Sequence, residues 1–406
     1  MIRVVSFSTL YPNAADPHRG AFLRARLKAL REHARGDVDV RVIAPVPYYP
    51  AFLPGKPEWR AFARAPRASA IEGFEALHPR YVALPKAGVA THVSSLARAG
   101  RLAFRRIERD FAPDLVEAHY LFPDGAAAAL VARAAGRPLL VVARGTDAHT
   151  FPRDPALRRK IAEVLANADR VAAVSGGLAR ELEPLLPPGT RAAVIRNGVD
   201  TRLFHPRPVG ETRAALGLPA RAIVAIAVGR LVPVKRPLVV VETVARLQSS
   251  AAAADKSLRA MLVGSGELAR RVSRAAESLG MTSSTLKVVP EMSSDRLALH
   301  LAAADVCLHA SEREGCPNVV VEALASGTPV AASPSAGAIE VFEAAGQGGV
   351  LAETGDAAGL AAAAERALGA PSDREAIAAA AARAFRWEDV ARRTVALYRE
   401  AVGQRR

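Results

Sequence analysis

Residues His309–Pro334, HASEREGCPNVVVEALASGTPVAASP, decide the fold of this chain. An apolar run from Val306 ends inside this stretch, and its short length favours a buried strand over a helix. After a loop, Pro317 stands at the expected first helical position, where a missing N–H costs nothing. Gly327 is typical of the residue just beyond a helix end, and Thr328–Ala332 predicts a second strand. The pattern predicts a strand–loop–helix–strand unit whose helix N-terminus is suited to hold an anion.

Two glutamates flank the start of this helix, Glu314 in the loop and Glu322 inside the helix. Burying a carboxylate is costly unless it is hydrogen-bonded, so Glu322, which stands among Val, Ala and Leu, is expected to have a polar partner. Eight helical residues rise about 12 Å, whereas the paired carboxylates of a retaining glycoside hydrolase lie about 5 Å apart. The spacing therefore favours two ligand-binding groups over an acid–base pair. The alternative for Glu322 is a helix-edge carboxylate that contacts water.

The Glu-x7-Glu spacing followed by ALASGTPVAAS resembles the donor-binding signature of the retaining group 1 glycosyltransferases of family 4, which have the GT-B fold. This resemblance implies that Glu314 contacts hydroxyl groups of the donor sugar and that Glu322 binds the nucleotide ribose. It implies further contacts to sugar and diphosphate oxygens from residues at the helix N-terminus, namely Gly315, Cys316, Pro317, Asn318 and Val319. Ala336-Gly337 stands where relatives usually carry two glycines, which is expected to alter the backbone approach there slightly.

Length and composition predict a folded protein of two to three domains. The chain has 406 residues, of which half are hydrophobic. Its two cysteines, Cys307 and Cys316, allow no disulfide framework, which favours a reducing compartment. The N-terminal MIRVVSFSTLYP is too short an apolar run for a signal peptide and predicts a strand. No run reaches the roughly 18 apolar residues of a membrane helix. We therefore expect a soluble, cytoplasmic protein.

The net charge of +15, from 55 basic and 40 acidic residues, raises the question of an anionic partner. Nucleic acid is not expected, because aromatic residues make up only 5% and no nucleic-acid motif occurs. The segment Ser95–Phe111 combines Leu96, Leu102, Phe104 and Ile107 with five arginines. That mixture suits a helix on an anionic membrane surface, here the inner face of the membrane. An ordinary surface helix, or a compositional bias towards arginine, is the alternative.

Apolar runs alternate with helical patterns along the whole chain, which predicts an α/β fold with parallel sheets. The predicted strands are Arg3–Phe7, Val38–Ile43, Arg80–Leu84, Leu115–Ala118, Pro138–Ala143, Arg170–Val174, Ala192–Ile195, Ile223–Val228, Ala260–Val263, Leu286–Val289, Val306–His309 and Pro329–Ala332. A Pro-rich and aromatic-rich loop is predicted between Tyr48 and Ala70, and we assign it to the acceptor site.

The turn-forming run Asn197–Asp200 predicts a boundary between residues 1–198 and 199–387. The resemblance implies two Rossmann-like, doubly wound domains that face each other across a cleft. It also implies that the first domain is on the acceptor side, that the second binds the nucleotide-sugar donor, and that the last helix, in residues 388–406, packs back on the first domain.

The segment 225–237, AIAVGRLVPVKRP, places two cations, Arg230 and Lys235, in a loop after a strand that ends at Gly229. Cations at the carboxyl edge of a parallel sheet can neutralise a diphosphate leaving group, although surface arginine and lysine are common. The pair also matches the family's Gly-Arg-Leu…Lys motif.

Gly264 and Gly266 meet only the loose Gly-x-Gly-x-x-Ala form of a dinucleotide fingerprint, and a tight turn is the alternative. By resemblance this loop and Glu291 approach the donor nucleotide.

In the first half, candidate residues stand at strand ends and at a helix entrance. Gly20 precedes a predicted helix in STLYPNAADPHRGAFLRARL, an opening that resembles transferases of cell-surface polysaccharide synthesis. His119 ends a strand and is more often structural than catalytic there, but in relatives a histidine at this place lies beside the donor sugar. Arg144 and Asp147 follow the next strand and also match the family; His149 is a weaker candidate. No cluster has metal-ligand spacing, so neither a metal nor another cofactor is expected.

The resemblance implies a retaining transferase that moves a sugar from a nucleoside diphosphate, UDP- or GDP-linked, to an acceptor hydroxyl of a cell-surface polysaccharide, a lipid-linked glycan or a glycolipid. By resemblance the catalytic residues are His119, Arg230, Lys235 and Glu314. The alternatives are a non-catalytic nucleotide-sugar-binding protein and an epimerase or phosphorylase of the same fold. A nicotinamide-dependent dehydrogenase is a further alternative, for which Glu291 has the required spacing from Gly264.

Overall fold

The structure, a computed structural model, describes residues 1–13, 16, 20–48, 62–83, 92–371 and 373–404. The chain divides into two compact units: unit 1 is Met1–Asn197 with Trp387–Arg406, and unit 2 is Gly198–Arg386. The domain limits expected from the sequence differ from these by one residue. Unit 2 therefore interrupts unit 1 in the sequence.

The described strands are short, as expected for parallel α/β sheets. They are β1 (Ile2–Phe7), β2 (Val38–Ile43), β3 (Val46–Tyr48), β4 (Ala68–Ile71), β5 (Phe74–Leu77), β6 (Arg80–Val82), β7 (Leu115–His119), β8 (Leu139–Ala143), β9 (Arg170–Ala173), β10 (Ala193–Val194), β11 (Ile223–Val228), β12 (Leu258–Val263), β13 (Leu286–Val289), β14 (Val306–His309), β15 (Val330–Ala332) and β16 (Gly349–Leu351).

Helices separate most of these strands. Those with described bounds are α1 (Ala21–His33), α2 (His92–Phe111), α3 (Ala126–Ala135), α4 (Thr146–His149), α5 (Pro155–Ala166), α6 (Gly176–Leu182), α7 (Val209–Ala215), α8 (Pro237–Ala253), α9 (Ala269–Ser278), α10 (Ser294–Ala303), α11 (Asn318–Ala325), α12 (Ala336–Ala345), α13 (Ala357–Gly369), α14 (Arg374–Ala384) and α15 (Trp387–Gly403). Among the described residues, no helix combines the length and the apolar character needed to cross a bilayer.

Unit 1 is built on a sheet of order β10-β9-β8-β7-β1-β2-β5-β4, parallel except where β4 meets β5. Strand β8, near the centre of the sheet, is a continuous apolar run with every residue buried, as expected when helices cover both faces of a parallel sheet. Strands β3 and β6 form a separate parallel pair. The C-terminal helix α15 belongs to this unit and packs against α1.

The strands predicted from apolar runs are confirmed, with described ends shifted by at most two residues. The predicted loop between Tyr48 and Ala70 is wrong at its end, because Ala68–Ile71 forms β4 and pairs antiparallel with β5. A tight turn joins the two strands through Glu72 and Gly73, both with positive φ. Ile71, Phe74 and Leu77 are its only large apolar residues, and alanine, serine and glutamate favour strands weakly, so the signal of this hairpin was weak. Residues 49–61 of the predicted loop, and Leu84, lie outside the described residues.

Unit 2 is built on an all-parallel sheet of order β13-β12-β11-β14-β15-β16. Alternate residues of β11 point to opposite faces: Ala225 and Ala227 join one buried apolar cluster, and Val224 and Ile226 join the other. The chain runs outward from β11 to β13 and then returns to β14 on the other side of β11. This reversal is a topological switch point, where open parallel sheets bind ligands beyond the carboxyl ends of their strands.

Candidate active site

At the switch point of unit 2, the loops that leave β11 and β14 contact each other. The backbone N–H of Glu312 donates to the carbonyl oxygen of Val234 at 3.0 Å. Across this junction the ammonium group of Lys235 forms a hydrogen-bonded ion pair with Oε1 of Glu314. The structure thus brings together two predicted site residues that lie 79 positions apart in the sequence.

His309, the last residue of β14, faces this ion pair. Its Nε2 lies 3.7 Å from Oε1 of Glu314 and has no hydrogen-bond partner within the described part of the chain. The residue is 4% exposed. Burial, opposed by Glu314 and reinforced by Lys235, lowers the pKa of His309 to about 4. The imidazole is therefore neutral at neutral pH.

The carboxylate of Glu314 is mostly buried and ionised. Burial alone would raise its pKa, but Lys235, and then His309, outweigh that effect and the pKa falls below its ordinary value. The side chain of Glu314 is 13% exposed and that of Lys235 is 30% exposed, so a ligand can reach the pair. An anionic ligand would meet the ammonium group, and a hydroxyl group would meet a charged hydrogen-bond acceptor.

A second cation, Arg230, lies in the same loop as Lys235. Its side chain is exposed and makes no hydrogen bond or ion pair with the residues that the structure describes. Arg230 is therefore available to an anion without breaking an existing contact. Gly229, also predicted at this site, has room for a side chain, since an added Cβ would meet only the Lys235 stem at 3.8 Å.

Gly264 and Gly266 pack the loop after β12 against the loop that carries Arg230. A Cβ at Gly264 would lie 2.0 Å from the carbonyl oxygen of Gly229, and one at Gly266 would lie 2.4 Å from that of Leu231. The Leu231 N–H also donates to the Ser265 carbonyl oxygen at 2.8 Å. Because neighbouring backbone occupies the space beside both glycines, loop packing explains them, and they give no support to the dinucleotide fingerprint.

Helix α11 starts one residue later than predicted. Pro317 has φ −75° and ψ 98°, an extended conformation, so it is the N-cap residue and the helix begins at Asn318. The prediction for Gly327 is confirmed: its φ is +73°, and its N–H donates to Leu324 while that of Thr328 donates to Ala323, both at 2.9 Å. This pair of bonds is the Schellman motif, which satisfies the last carbonyl groups of the helix.

Ala336-Gly337, which stands where relatives usually carry two glycines, still allows α12 to pack closely on the backbone of the Glu314 loop. A Cβ at Gly337 would lie 2.7 Å from the carbonyl oxygen of Glu314 and 2.9 Å from that of Gly315, so only glycine permits this packing of α12 against the Glu314 loop. Ala336 is exposed, and its methyl group does not enter that contact. Gly337 therefore stands at the position where this backbone contact needs glycine, and the slight change of approach expected from Ala336 stays a prediction.

Glu322 is partly buried on α11, one turn after Asn318 and on the same side of the helix. The polar partner expected for it is absent: no residue that the structure describes makes a hydrogen bond or ion pair with its carboxyl group. Burial instead raises the pKa of Glu322 to about 7. The buried Cys307 thiol has a pKa raised to about 12 by its own burial and then by Glu322. Glu322 is thus a poorly solvated carboxyl group that a hydroxyl-bearing ligand would satisfy.

In unit 1, both ring nitrogens of His119 are engaged. Nε2 lies 3.0 Å from Oε2 of Glu117, and Nδ1 lies 2.7 Å from Nη2 of Arg144. A guanidinium group can only donate, so Nδ1 is the acceptor and Nε2 carries the proton. Burial lowers the pKa of His119 to about 4, which leaves the ring neutral. An acid–base role for His119 would require one of these two bonds to break.

Glu117 lies two residues before His119 on the same face of β7 and is fully buried. Its Oε2 also accepts from the hydroxyl group of Tyr398 at 2.8 Å, and its Oε1 lies 3.9 Å from Nη2 of Arg26. Burial opposes ionisation, but His119, Arg26 and Tyr398 outweigh it and lower the pKa of Glu117 to about 2. The result is a buried charged network, which we call the β7 network, of Arg26, Glu117, His119, Arg144 and Tyr398.

Asp147 supports this network through the backbone. Its carboxylate is buried and accepts from the N–H groups of Leu121 at 2.8 Å, Gly145 at 2.7 Å and Arg144 at 3.0 Å. It therefore ties the loop after β7 to the loop after β8, and its oxygens contact backbone groups. The side chain of Arg144 reaches His119 and lies over the ring of Phe22, 4.8 Å from its centroid.

The remaining predicted residues are Gly20, His149 and Glu291. Gly20, at φ 58°, precedes α1, and a Cβ there would lie 1.8 Å from the carbonyl oxygen of Leu10; close backbone packing therefore requires this glycine. His149 pairs with Glu181 through its Nδ1 at 2.5 Å. Glu291 is exposed after β13. Within the described residues, no group of three or more His, Cys, Asp or Glu side chains is placed to hold a metal ion.

Four residues of these groups were missed by sequence reasoning. Glu117 had a usable signal, because a glutamate and a histidine two positions apart share one face of an otherwise apolar strand. His309 had the same kind of signal, as a polar residue that ends the strand Val306–His309. Arg26 and Tyr398 had none, since their charged and hydroxyl groups stand on helices with ordinary amphipathic patterns.

Two family models match this chain in succession. Residues 26–203 match "Glycosyltransferase Family 4", and residues 209–384 match "Glycosyl transferases group 1". Among curated proteins, the chain is 27% identical over 346 residues to a Bacillus subtilis protein provisionally named teichuronic acid biosynthesis glycosyltransferase TuaC, with 84% of this chain and 83% of that protein covered. It is 32% identical over 309 residues to D-inositol 3-phosphate glycosyltransferase 1 of Catenulispora acidiphila, covering 71% of this chain and 72% of the relative.

Among solved structures, Anabaena HepE in complex with UDP-glucose superposes with a TM-score of 0.70 at 19% identity, over 98% of each chain. That likeness shows the fold. The two successive family matches and the relative at 32% identity also exclude the dehydrogenase interpretation. The chain therefore belongs to the group 1 glycosyltransferases of family 4, and it is a glycosyltransferase with the GT-B fold.

Proposed function

We propose that the chain transfers a sugar from a nucleoside diphosphate to an acceptor hydroxyl group with retention of anomeric configuration, in the synthesis of a cell-surface polysaccharide, lipid-linked glycan or glycolipid. The observation that carries the donor assignment is the Lys235–Glu314 ion pair at the switch point of unit 2. HepE, which shares the fold, was solved with UDP-glucose. The name of TuaC supports a cell-surface glycan as the product.

Donor binding exchanges the partners of this ion pair. Lys235 turns from Glu314 to the diphosphate, where Arg230 adds a second positive charge and the N-terminus of α11 adds its dipole. Glu314 is then free to accept a hydrogen bond from a donor-sugar hydroxyl. The acceptor oxygen bonds to the anomeric carbon, and its proton passes to the leaving diphosphate. As the bond between the anomeric carbon and the diphosphate oxygen breaks, the two cations stabilise the negative charge that develops on the leaving diphosphate. This charge balance is supplied by side chains, so we propose that no metal ion or other cofactor takes part.

The other predicted residues have supporting roles in this scheme. Glu322 accepts hydrogen bonds from the ribose, which supplies the partner that its carboxyl group lacks. In unit 1, the β7 network holds His119 as a neutral, oriented group, and Arg144 fixes its tautomer. Asp147 and Gly20 shape the loops at the strand ends rather than contacting substrate.

The test is a panel of UDP- and GDP-linked sugars, with binding and release of free nucleotide measured for the wild type, Glu322→Ala and the matched variant Glu343→Ala. Glu343 is an exposed glutamate on α12 of the same unit. We expect the wild type and Glu343→Ala to bind one donor and to release its nucleotide slowly. Glu322→Ala alone should lose both donor binding and nucleotide release. Failure of every donor to bind would overturn the donor assignment. Once an acceptor is known, the anomeric proton coupling of the product tests retention.

Glu322 also predicts a pH dependence for donor binding. Ribose hydroxyls donate more strongly to a carboxylate than to a carboxylic acid, so donor binding favours the ionised form and lowers the pKa. Because the free group has a pKa of about 7, donor affinity should rise with pH, by about tenfold from about pH 6 to about pH 8. Calorimetry in buffers of different ionisation enthalpy should show release of about one proton per donor near pH 6.

Glu322→Gln is the matched control for that experiment, since an amide keeps the shape and cannot titrate. The pH dependence and the proton release should both disappear in this variant. If both persist, another group titrates on donor binding and the ribose is not bound by Glu322.

A further inference from the structure

The exposed side of α2 is a stripe of arginines around one leucine. At 100° per residue, five positions fall within an arc of about 100° on one side of the helix. They are Arg98, Arg101, Leu102, Arg105 and Arg109, all exposed, with Leu102 62% exposed. We call these five residues the α2 face. The opposite side of the helix is buried through Leu96, Phe104, Ile107 and Phe111.

The positive charge of the α2 face is uncompensated. None of its four arginines makes a hydrogen bond or an ion pair with any residue that the structure describes. The acidic residues of the same helix have their own partners: Glu108, at the edge of the α2 face, pairs with Arg137 at 3.6 Å, and Asp110, on another side of the helix, pairs with Arg41 at 2.8 Å. A cluster of unpaired positive charges on a surface either binds an anionic partner or remains in solvent.

Large apolar side chains are exposed on α2, on elements that contact it and on β3. Besides Leu102, they are Tyr48 at 53%, Val82 at 53% and Leu130 at 45%, whereas the described residues elsewhere contribute only Met1 and Leu279. Tyr48 and Val82 are paired neighbours on β3 and β6, and the Val82 N–H donates to Oγ of Ser95 in α2 at 2.6 Å. Leu130 lies on α3, which packs on α2.

We propose that the α2 face, with Tyr48, Val82 and Leu130 around it, docks unit 1 on an anionic phospholipid bilayer. Arginines at the headgroup level attract lipid phosphates while their stems and neighbouring apolar side chains enter the acyl boundary. A soluble polyanion would use the arginines but would leave the exposed leucines and tyrosine in water. The combination of free cations and apolar groups on one helix surface therefore favours a bilayer.

Unit 2 supplies a matched control surface. Helix α9 carries three exposed arginines, Arg270, Arg271 and Arg274, which are likewise unpaired among the described residues. They have no exposed large apolar residue on their side of the helix, since Leu279 lies about 180° from Arg270. Charge reversal at these three positions changes the net charge as much as charge reversal at Arg98, Arg101 and Arg105.

The experiment is co-sedimentation of the full chain with phosphatidylcholine vesicles that contain or lack phosphatidylglycerol, without donor, so that its outcome is independent of the donor assignment. We expect binding only to the phosphatidylglycerol vesicles. Binding should fall about 100-fold or more in R98E/R101E/R105E and less than about threefold in R270E/R271E/R274E. The far-ultraviolet circular dichroism spectrum should be unchanged in both, which controls for folding.

Leu102→Ser separates a bilayer from a soluble polyanion. It should weaken vesicle binding several-fold and leave retention on a polyphosphate column unchanged, because the column offers charge without an acyl layer. Three results would overturn the proposal: no binding of the wild type to phosphatidylglycerol vesicles, equal loss in the two charge-reversed variants, or no effect of Leu102→Ser on vesicle binding.

Discussion

Replacement of Lys235 with alanine is expected to lower kcat about 100- to 1000-fold, with a smaller change in KM. The ammonium group faces Glu314 in the free enzyme, and in our proposal it turns to the leaving diphosphate, where charge is largest in the transition state. The interaction therefore strengthens during the reaction, and its loss appears mainly in kcat. Steady-state kinetics with the donor identified by the panel would measure both constants.

Lys256→Ala is the matched control, because Lys256 is an exposed lysine of the same unit without a described partner. Its kcat should stay close to that of the wild type. A Lys235→Ala enzyme that retains more than about a third of wild-type kcat would show that another group stabilises the leaving diphosphate. A large rise in KM with unchanged kcat would place Lys235 in donor binding alone.

Replacement of Glu117 with alanine is expected to lower the free energy of unfolding of unit 1 by about 3–5 kcal/mol. The carboxylate is fully buried, and its removal leaves Arg26 charged without its partner and leaves the Tyr398 hydroxyl and the His119 N–H without an acceptor. The pKa of Glu117 is lowered to about 2. The stabilisation that ionised Glu117 gives is therefore complete above the pH range in which an ordinary glutamate titrates, and it is lost as the pH falls towards about 2.

Equilibrium urea denaturation followed by tryptophan fluorescence would measure this change. Both tryptophans, Trp59 and Trp387, fall in the sequence of unit 1, so the signal reports on the unit that carries the substitution. Glu163→Ala, which removes an exposed ion pair with Arg159 at 3.8 Å, should change the free energy of unfolding by less than about 0.5 kcal/mol. Equal effects of the two substitutions would contradict the structural role of the β7 network.

The sequence predicted most of the fold because its signals are local. Continuous apolar runs such as Leu139–Ala143 identify strands that are buried on both faces, and the turn-forming run Asn197–Asp200 stands at the division of the two units. The β4–β5 hairpin was missed because each strand has only four residues, and alanine, serine and glutamate, which favour strands weakly, make up most of them. Pro317 was placed one position too far into its helix, since proline suits both the N-cap and the first helical position.

The two candidate sites differ in how far the sequence could predict them. The site in unit 2 is encoded in short segments, each at one strand end, so Lys235 and Glu314 were found together and the structure places them in contact. The network in unit 1 joins Arg26, Glu117, Arg144 and Tyr398 from four distant segments. No local pattern connects these residues, and only the packing of α1 and α15 against the sheet brings them together. Glu322 lacks its expected partner because that partner, in our proposal, is the donor.

Tyr398 and Thr394 on α15 supply hydroxyl groups to Glu117 and Arg26, yet they follow all of unit 2 in the sequence. A ribosome therefore makes the whole of unit 2 before these two partners exist. Until then the nascent unit 1 holds a carboxylate and a guanidinium group that lack those hydrogen bonds, while unit 2 already has every residue of its own core. Although its synthesis begins first, unit 1 is completed last, because α15 follows every element of unit 2 in the sequence.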